Sequence, residues 1–208
     1  ASTSSVDGPP GSPAVGRREW VKARRASGRL ARRYGLPWRS SNATASPVVD
    51  AQAAYESEMA IWGAMMGGVN LLYQGAGWLE GGLTASFEKL ILDAELLQMM
   101  SEVLQPLVVD EASLGLDAIA EVGPGGHFFG TTHTLDRYES AFYAPMLADW
   151  RNFETWQADG SQTATQRANA IWKRLLAEAA PPAMDPSIAE ALDAFVGRRK
   201  REIERGAA

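Results

Sequence analysis

Cysteine is absent from this 208-residue chain, and histidine occurs only 2 times. Without cysteine there is no disulfide framework, no thiolate nucleophile and no cysteine-ligated metal. Two histidines would need carboxylates beside them to complete a zinc site, and no H-E-x-x-H pair occurs. Long apolar runs are missing too: Met65-Met66-Gly67-Gly68-Val69 meets Asn70 well short of the ~18 residues of a membrane helix. There is no G-x-x-x-x-G-K-[ST], and no G-x-G-x-x-G opening a dinucleotide unit, so a phosphate-cradling nucleotide enzyme is not indicated. Basic charge is not in excess, and a formal net charge of −5 argues against a general nucleic-acid binder. No signal peptide is read, and the expected location is the cytoplasm. The chain opens at Ala1 rather than at a methionine, which reads as an interior point of a longer protein.

What is abundant is glycine, 20 residues, of which eight fall in two short stretches. Glu121-Val-Gly-Pro-Gly-Gly-His-Phe-Phe-Gly-Thr-Thr-His133 combines glycine, phenylalanine and both histidines. Tyr73-Gln-Gly-Ala-Gly-Trp-Leu-Glu-Gly-Gly-Leu-Thr-Ala-Ser86 has the same character upstream. Loops of this composition let a ligand approach the backbone closely. Both follow apolar runs and precede helical ones, where α/β enzymes carry their active-site loops. With hydrophobic content of 46% and charged content of 22%, the rest reads as an ordinary globular protein.

The opening Ala1–Gly16, rich in serine, glycine and proline, reads as a loop. Apolar spacing predicts a helix over 17–34, with Trp20, Val21, Ala23, Ala26, Leu30 and Ala31 on one side and a basic, solvated outer face. An extended segment is expected over 36–40, a helix over 48–66 and a buried strand over 69–73. The longest helix is expected over 84–104, capped by Thr84 or Ser86, with Phe87, Leu90, Ile91, Ala94, Leu97 and Met100 inward. A helix over 110–120 starts at Asp110, and further helices are expected over 135–142, 150–157, 163–180 and 186–205. The methionine pairs Met65-Met66 and Met99-Met100 read as core filler. Alternating strand and helix up to residue 134, followed by helices alone, predicts an α/β fold. Its reading is the C-terminal part of a (β/α)8 TIM barrel over 1–134, then a helical extension packed on it over 135–208.

Three runs carry a resemblance. They are Val49-Asp-Ala-Gln-Ala-Ala-Tyr-Glu56, Gly75-Ala-Gly-Trp-Leu-Glu-Gly-Gly-Leu-Thr-Ala-Ser86 and Ala120-Glu-Val-Gly-Pro-Gly-Gly-His-Phe-Phe-Gly130. Together with Arg167–Trp172 and Leu192–Lys200, in this order, they resemble the trimethylamine methyltransferase family. The resemblance implies transfer of a methyl group from a methylated amine to the cobalt of a corrinoid (cobalamin-type) cofactor carried by a separate partner protein. It implies no tightly bound metal in this chain, and a homo-oligomer is compatible with it. Founding members of the family use pyrrolysine in the loop before the V-x-D-A-Q helix. Here that loop is Thr44-Ala-Ser-Pro-Val48, with Ser46 or a close neighbour at the special position. Serine has no imine, so the chain resembles the non-pyrrolysine branch, some of whose members demethylate glycine betaine or related quaternary amines.

Under that reading the cofactor supplies the nucleophile and the protein supplies position and electrostatics. Aromatic faces are the usual cage for quaternary ammonium, and Tyr73, Trp78 and Phe128 or Phe129 are its candidates, with Gln74 and Ser46 as further substrate contacts. Glu80 is a candidate for balancing the cation or orienting a ring, or else a structural carboxylate. His127 contacts the corrinoid or holds its loop; His133 is read as a helix-entry residue. Gly123, Gly125 and Gly126 leave room for a flat macrocycle. Arg39 is the nearest charge to the Ser46 loop. Two other readings stay open: a truncated barrel serving only as a binding or assembly subunit, and a different barrel enzyme acting on a small cationic metabolite.

Overall fold

A computed structural model describes residues 6–7, 12–13, 16 and 18–206. It is helix-dominated, with small sheets, and compatible with an α/β fold. Two compact units divide at 173/174, inside a helix. Within the opening segment read as a loop, β1 (Val6–Asp7) pairs antiparallel with β2 (Ser12–Pro13). Apart from Gly16, the remainder of that segment, and Arg17, lie outside the described residues.

The first helix, α1 (Arg18–Arg33), buries Trp20, Val21, Arg24 and Gly28. This corrects the expected stripe, because Leu30 is exposed. The reason is the crossing with α2 (Ala51–Met66): a Cβ on Gly28 would strike the Gly67 carbonyl at the end of α2, and one on Gly63 would lie 3.2 Å from Val21. Backbones that close select the i, i+4 row through positions 20, 24 and 28. Arg24 is therefore buried and not part of the basic, solvated outer face expected of this helix. Its guanidinium lies 3.8 Å over the Trp20 ring, and burial pushes its pKa below the usual arginine range.

Around α2 the chain makes one strand–helix–strand unit. β3 (Arg39–Ser41) pairs in parallel with β4 (Leu71–Tyr73), in the register Arg39↔Leu71, Ser40↔Leu72, Ser41↔Tyr73. A parallel pair needs a crossover, and α2 supplies it. Asp50 caps α2 by accepting the Ala53 N–H at 3.0 Å. The first glycine-rich loop then folds into a hairpin, β5 (Trp78–Leu79) against β6 (Thr84–Ala85), closed by a tight 3₁₀ turn at Glu80–Gly82. Thr84 is thus a strand residue, and Ser86 alone caps α3 (Phe87–Val103).

On α3 the inward face differs from the expected one. Ile91 and Met100 are buried, but Phe87 and Leu90 are exposed, and Lys89, Asp93 and Glu95 take the buried positions. Glu95 accepts the Met146 and Leu147 N–H groups at 2.8 and 3.2 Å, drawing the later chain back across α3. Leu147 then joins Ile91 and Ala168 in a small core with Ile171 and Trp172. That tether accounts for a second correction: of the helix expected over 135–142 only Leu135 is helical, as the last residue of the short α6 (Thr132–Leu135), and 136–142 is a run of turns and bends. Upstream, Gly115 at φ 60° splits the expected 110–120 helix into α4 (Glu111–Leu114), capped by Asp110, and α5 (Leu116–Val122). The remaining helices are α7 (Phe153–Ala158), α8 (Ala164–Glu178) and α9 (Pro186–Gly206), close to expectation. Among the described residues no helix is long and apolar enough to cross a membrane.

Glu88 ties α8 to the start of α3, accepting from Asn169 Nδ2 at 2.7 Å and Trp172 Nε1 at 2.8 Å. Those two hydrogen bonds hold its pKa down to about 2, from an ordinary value of 4.5. A depressed carboxylate stabilises the fold above its unfolded pKa and loses that contribution as pH falls toward the folded value. Wild-type stability should therefore drop between pH 4.5 and about 2. Glu88→Gln should flatten that part of a denaturant-midpoint profile, and an unchanged slope would refute the assignment.

Candidate functional site

The polar segment leaving β3 runs into the glycine hairpin. The Glu80 N–H donates to the Ser46 carbonyl at 3.0 Å, and the Gly81 N–H to the Thr44 carbonyl at 2.6 Å. Asn42 Nδ2 donates to the Gly75 carbonyl at 2.9 Å, and the Arg39 guanidinium lies 4.8 Å over the Tyr73 ring. The structure thus brings the Ser46 loop against the loop that carries Tyr73, Gln74, Trp78 and Glu80. Ser40, Asn42, Thr44 and Ser46, at alternate positions, are all buried. Among them Ser40 Oγ, Asn42 Oδ1 and Thr44 Oγ1 have no hydrogen-bond partner among the described residues.

The hairpin is held in unfavourable backbone geometry. Gln74 sits at φ 54° and Glu80 at φ 49°, in the left-handed region that side chains other than glycine avoid, and Gly77, Gly81 and Gly82 also have positive φ. Such residues cost on the order of 1–3 kcal/mol each and persist only where the surroundings over-determine them. Glu80 is exposed, and its carboxylate accepts from the Thr84 hydroxyl. Trp78 is half-buried. It packs against the Trp20, Ala43 and Ala60 cluster and also lines a cleft of about 190 Å³ with Ala76, Ala85, Phe87 and Leu90. Phe87, which the sequence reading placed in the core, is a second aromatic wall and stacks on Trp172 with ring centroids 4.8 Å apart. Tyr73 and Gln74 are exposed. Ser46 is fully buried, its hydroxyl 2.9 Å from the Val48 carbonyl and 3.1 Å from Asp50 Oδ1, so it closes the loop and braces the α2 cap.

Behind both loops lies an ionic cluster that apolar periodicity does not reveal. Glu56 Oε2 accepts the Ala45 and Ser46 N–H groups at 2.7 and 3.2 Å. Asp93 Oδ2 accepts the Gly77 N–H at 2.8 Å. Lys89 Nζ pairs with Asp93 Oδ1 and donates to Ser57 Oγ at 2.7 Å. Burial pushes the Lys89 pKa down, opposed by the negative charges of Asp93 and Glu56. The available signal was the i, i+4 pairing of Lys89 with Asp93, ordinarily the mark of a solvated face.

The second loop stands by itself. Gly123 and Gly125 take φ 66° and 79°, and Cβ atoms on them would meet nothing within 4 Å; one on Gly126 would lie 2.6 Å from Val122 Cγ1. His127 and Phe129 are exposed, with ring centroids 5.7 Å apart, and Phe128 is exposed beside them. His133 lies in α6, as a helix-entry residue should, with Nε2 2.7 Å from the Ala112 carbonyl. Among the described residues no hydrogen bond or ring contact joins His127, Phe128 or these glycines to Tyr73, Trp78 or Glu80. Nor is any cluster of histidine and carboxylate side chains there placed to hold a metal ion.

Comparison with known proteins identifies the family. The family model described as trimethylamine methyltransferase (MTTB) matches residues 1–204. Glycine betaine methyltransferase of Desulfitobacterium hafniense is 40% identical over 204 residues, 97% of this chain and 42% of that protein. Trimethylamine methyltransferase MttB2 of Methanosarcina mazei is 32% identical over 209 residues, 99% of this chain and 41% of that protein. Trimethylamine methyltransferase MttB of Methanosarcina barkeri is 34% identical over 165 residues, 78% of this chain and 32% of that protein. The chain spans about two fifths or less of the length of these relatives.

Proposed function

Because this chain belongs to the trimethylamine methyltransferase family, we propose that the protein carrying it moves a methyl group from a quaternary amine to the corrinoid of a partner protein. The observation that carries the reading is the junction of the Ser46 loop with the strained, aromatic hairpin, in a chain matched almost end to end. The β3–α2–β4 unit would be one repeat of a (β/α)8 barrel, with residues 1–134 contributing its C-terminal units and 135–208 a helical extension.

A quaternary nitrogen leaves as a neutral amine: the C–N bond breaks, its electron pair stays on nitrogen, and no proton is required there. The hairpin needs no general acid, and Ser46, with its hydroxyl spent on the loop, offers none. The positive charge disperses as the methyl group departs. A carboxylate tight against nitrogen would therefore favour the ground state over the transition state. Aromatic faces at Trp78, and at Tyr73 earlier on the same glycine-rich segment, bind a cation with less bias, at roughly 0.5–2 kcal/mol per ring. Gln74 and Glu80 orient the donor from the same hairpin. The cleft is also bounded by Ser86 and Phe87 at the α3 N-terminus, whose partial positive charge favours a donor carrying a carboxylate over a bare cation. A betaine fits that pattern better than trimethylamine.

The corrinoid supplies the nucleophilic metal centre. The open backbone at Gly123 and Gly125, with His127 and Phe128 exposed beside it, fits the approach of a flat macrocycle, with Gly126 and His127 as neighbouring contacts. The test mixes full-length protein with cob(I)alamin and a panel of betaines and tertiary amines. Methylated corrinoid is expected with a betaine, and its absence with every amine would end the reading.

A further inference from the structure

We propose that Glu56, Lys89 and Asp93 form a buried ionic clamp that fixes the Ser46 loop and the Gly77 hairpin relative to each other. They are then positioning residues for the donor site. This rests on the reading of those two loops as the donor site, while the clamp itself is read from the hydrogen bonds of Glu56 and Asp93 to the loops and the contacts of Lys89 with Asp93 and Ser57.

Each end of the clamp holds backbone, not side chain. Glu56 is 4% exposed and spends Oε2 on the Ala45 and Ser46 N–H groups, while its Oε1 accepts from Gln52 Nε2 at 3.0 Å. Asp93 is 1% exposed and spends Oδ2 on the Gly77 N–H, the residue before Trp78. Lys89, also 1% exposed, stands between them, paired with Asp93 and within the electrostatic reach of Glu56. Ser57, one residue after Glu56 on α2, accepts a hydrogen bond from the same ammonium at 2.7 Å. One cation thus serves two carboxylates on two helices, and each carboxylate pins a different loop.

The arrangement costs desolvation of three charged groups, and apolar residues of similar shape would pack there at no such cost. A charge network inside a helix–helix contact orders what it touches when every member is satisfied. Here it touches the two segments that also meet through Glu80–Ser46 and Gly81–Thr44. The left-handed Glu80 turn is therefore braced from both sides, which is the over-determination that strained residues require.

The test reads one loop while altering the anchor of the other, in full-length protein. Asp93→Asn should raise amide exchange at Ala45 and Ser46 as well as at Gly77, and Glu56→Gln should raise it at Gly77 as well as at Ala45, by about tenfold at the remote site. Exchange that rises only at the altered anchor would overturn the clamp. Should either variant fail to fold, Ser57→Ala, which removes only the third contact of Lys89, must loosen both loops together, and loosening neither or only one would overturn it. In the methyl-transfer assay, each single variant should lose about 100-fold in donor kcat/KM. The KM for the corrinoid should hold, and the double variant should be no worse than the poorer single one; fully additive losses would overturn the proposal. Coupled exchange in an inactive wild type would uphold the clamp and remove the functional reading. Uncoupled exchange in an active wild type would do the reverse.

Discussion

Asp93→Ala should destabilise the protein by about 3–5 kcal/mol at neutral pH, the usual cost of leaving one member of a buried ion pair without its partner. Two losses combine. The Gly77 N–H loses its acceptor, and the Lys89 ammonium stays buried with only Ser57 Oγ and the more distant Glu56 charge. The pH dependence separates them. Burial already pushes the Lys89 pKa below its ordinary 10.5, and Asp93 is the first of the groups that oppose the shift. Without Asp93 the folded pKa falls further, so between that value and 10.5 the unfolded chain binds more protons than the folded one. Stability of the variant should then rise with pH through that window. Adding Lys89→Met should remove the rise and recover part of the loss, leaving the cost of the unpaired Gly77 N–H, about 1–3 kcal/mol. Urea midpoints at neutral and alkaline pH for the single and double variants decide this; a loss under 1 kcal/mol with no pH dependence would refute the ionic account.

The same cluster shows where the sequence was legible and where it was not. Helices α1, α2, α3, α8 and α9 follow from apolar spacing and from caps, and Ser86 and Asp110 both cap where side-chain chemistry says they should. The extended segment and the following strand were placed to within a few residues by Gly and Pro punctuation. The strand was expected to be buried, however, whereas Leu71 and Tyr73 are exposed, and the glycine-rich segment was read as a loop with no hairpin foreseen. Burial failed wherever a polar partner lay far away in sequence. Lys89, Asp93 and Glu95 look solvated on a helical wheel, yet they are buried because Ser57, Gly77 and the 146–147 amides come to them across 16 to 52 positions. Leu30 failed for the opposite reason: it has the right period, but the close approach at Gly28 turns the helix away from it. Single-helix periodicity carries no information on either. For the candidate site, composition singled out both loops as candidates without showing whether they meet, and the meeting of Ser46 with Glu80 is a backbone contact that no residue type announces.

Trp78→Leu should weaken binding of a quaternary ammonium donor by about 2- to 30-fold, which is roughly 0.5–2 kcal/mol of lost cation–π attraction. Leucine keeps an apolar side chain against Trp20, Ala43 and Ala60, so the substitution removes the ring's quadrupole while retaining much of the packing. It also removes area, and area alone would weaken any apolar ligand. A pair of ligands separates the two effects. Glycine betaine and 3,3-dimethylbutanoate have nearly the same shape and the same carboxylate, and differ in whether the trimethyl head is charged. If Trp78 reads charge, the leucine variant should lose affinity for the betaine while its affinity for the carbon analogue changes by no more than about twofold, an allowance for lost contact area. If Trp78 only fills space, both ligands weaken equally. Phe87→Leu provides the control from another lining residue of the cleft: that ring is already stacked on Trp172, so replacing it should disturb the α3–α8 contact first and charge discrimination less. Equal loss for both ligands in the Trp78 variant would move the donor's cationic head away from the hairpin and take the proposed cage with it.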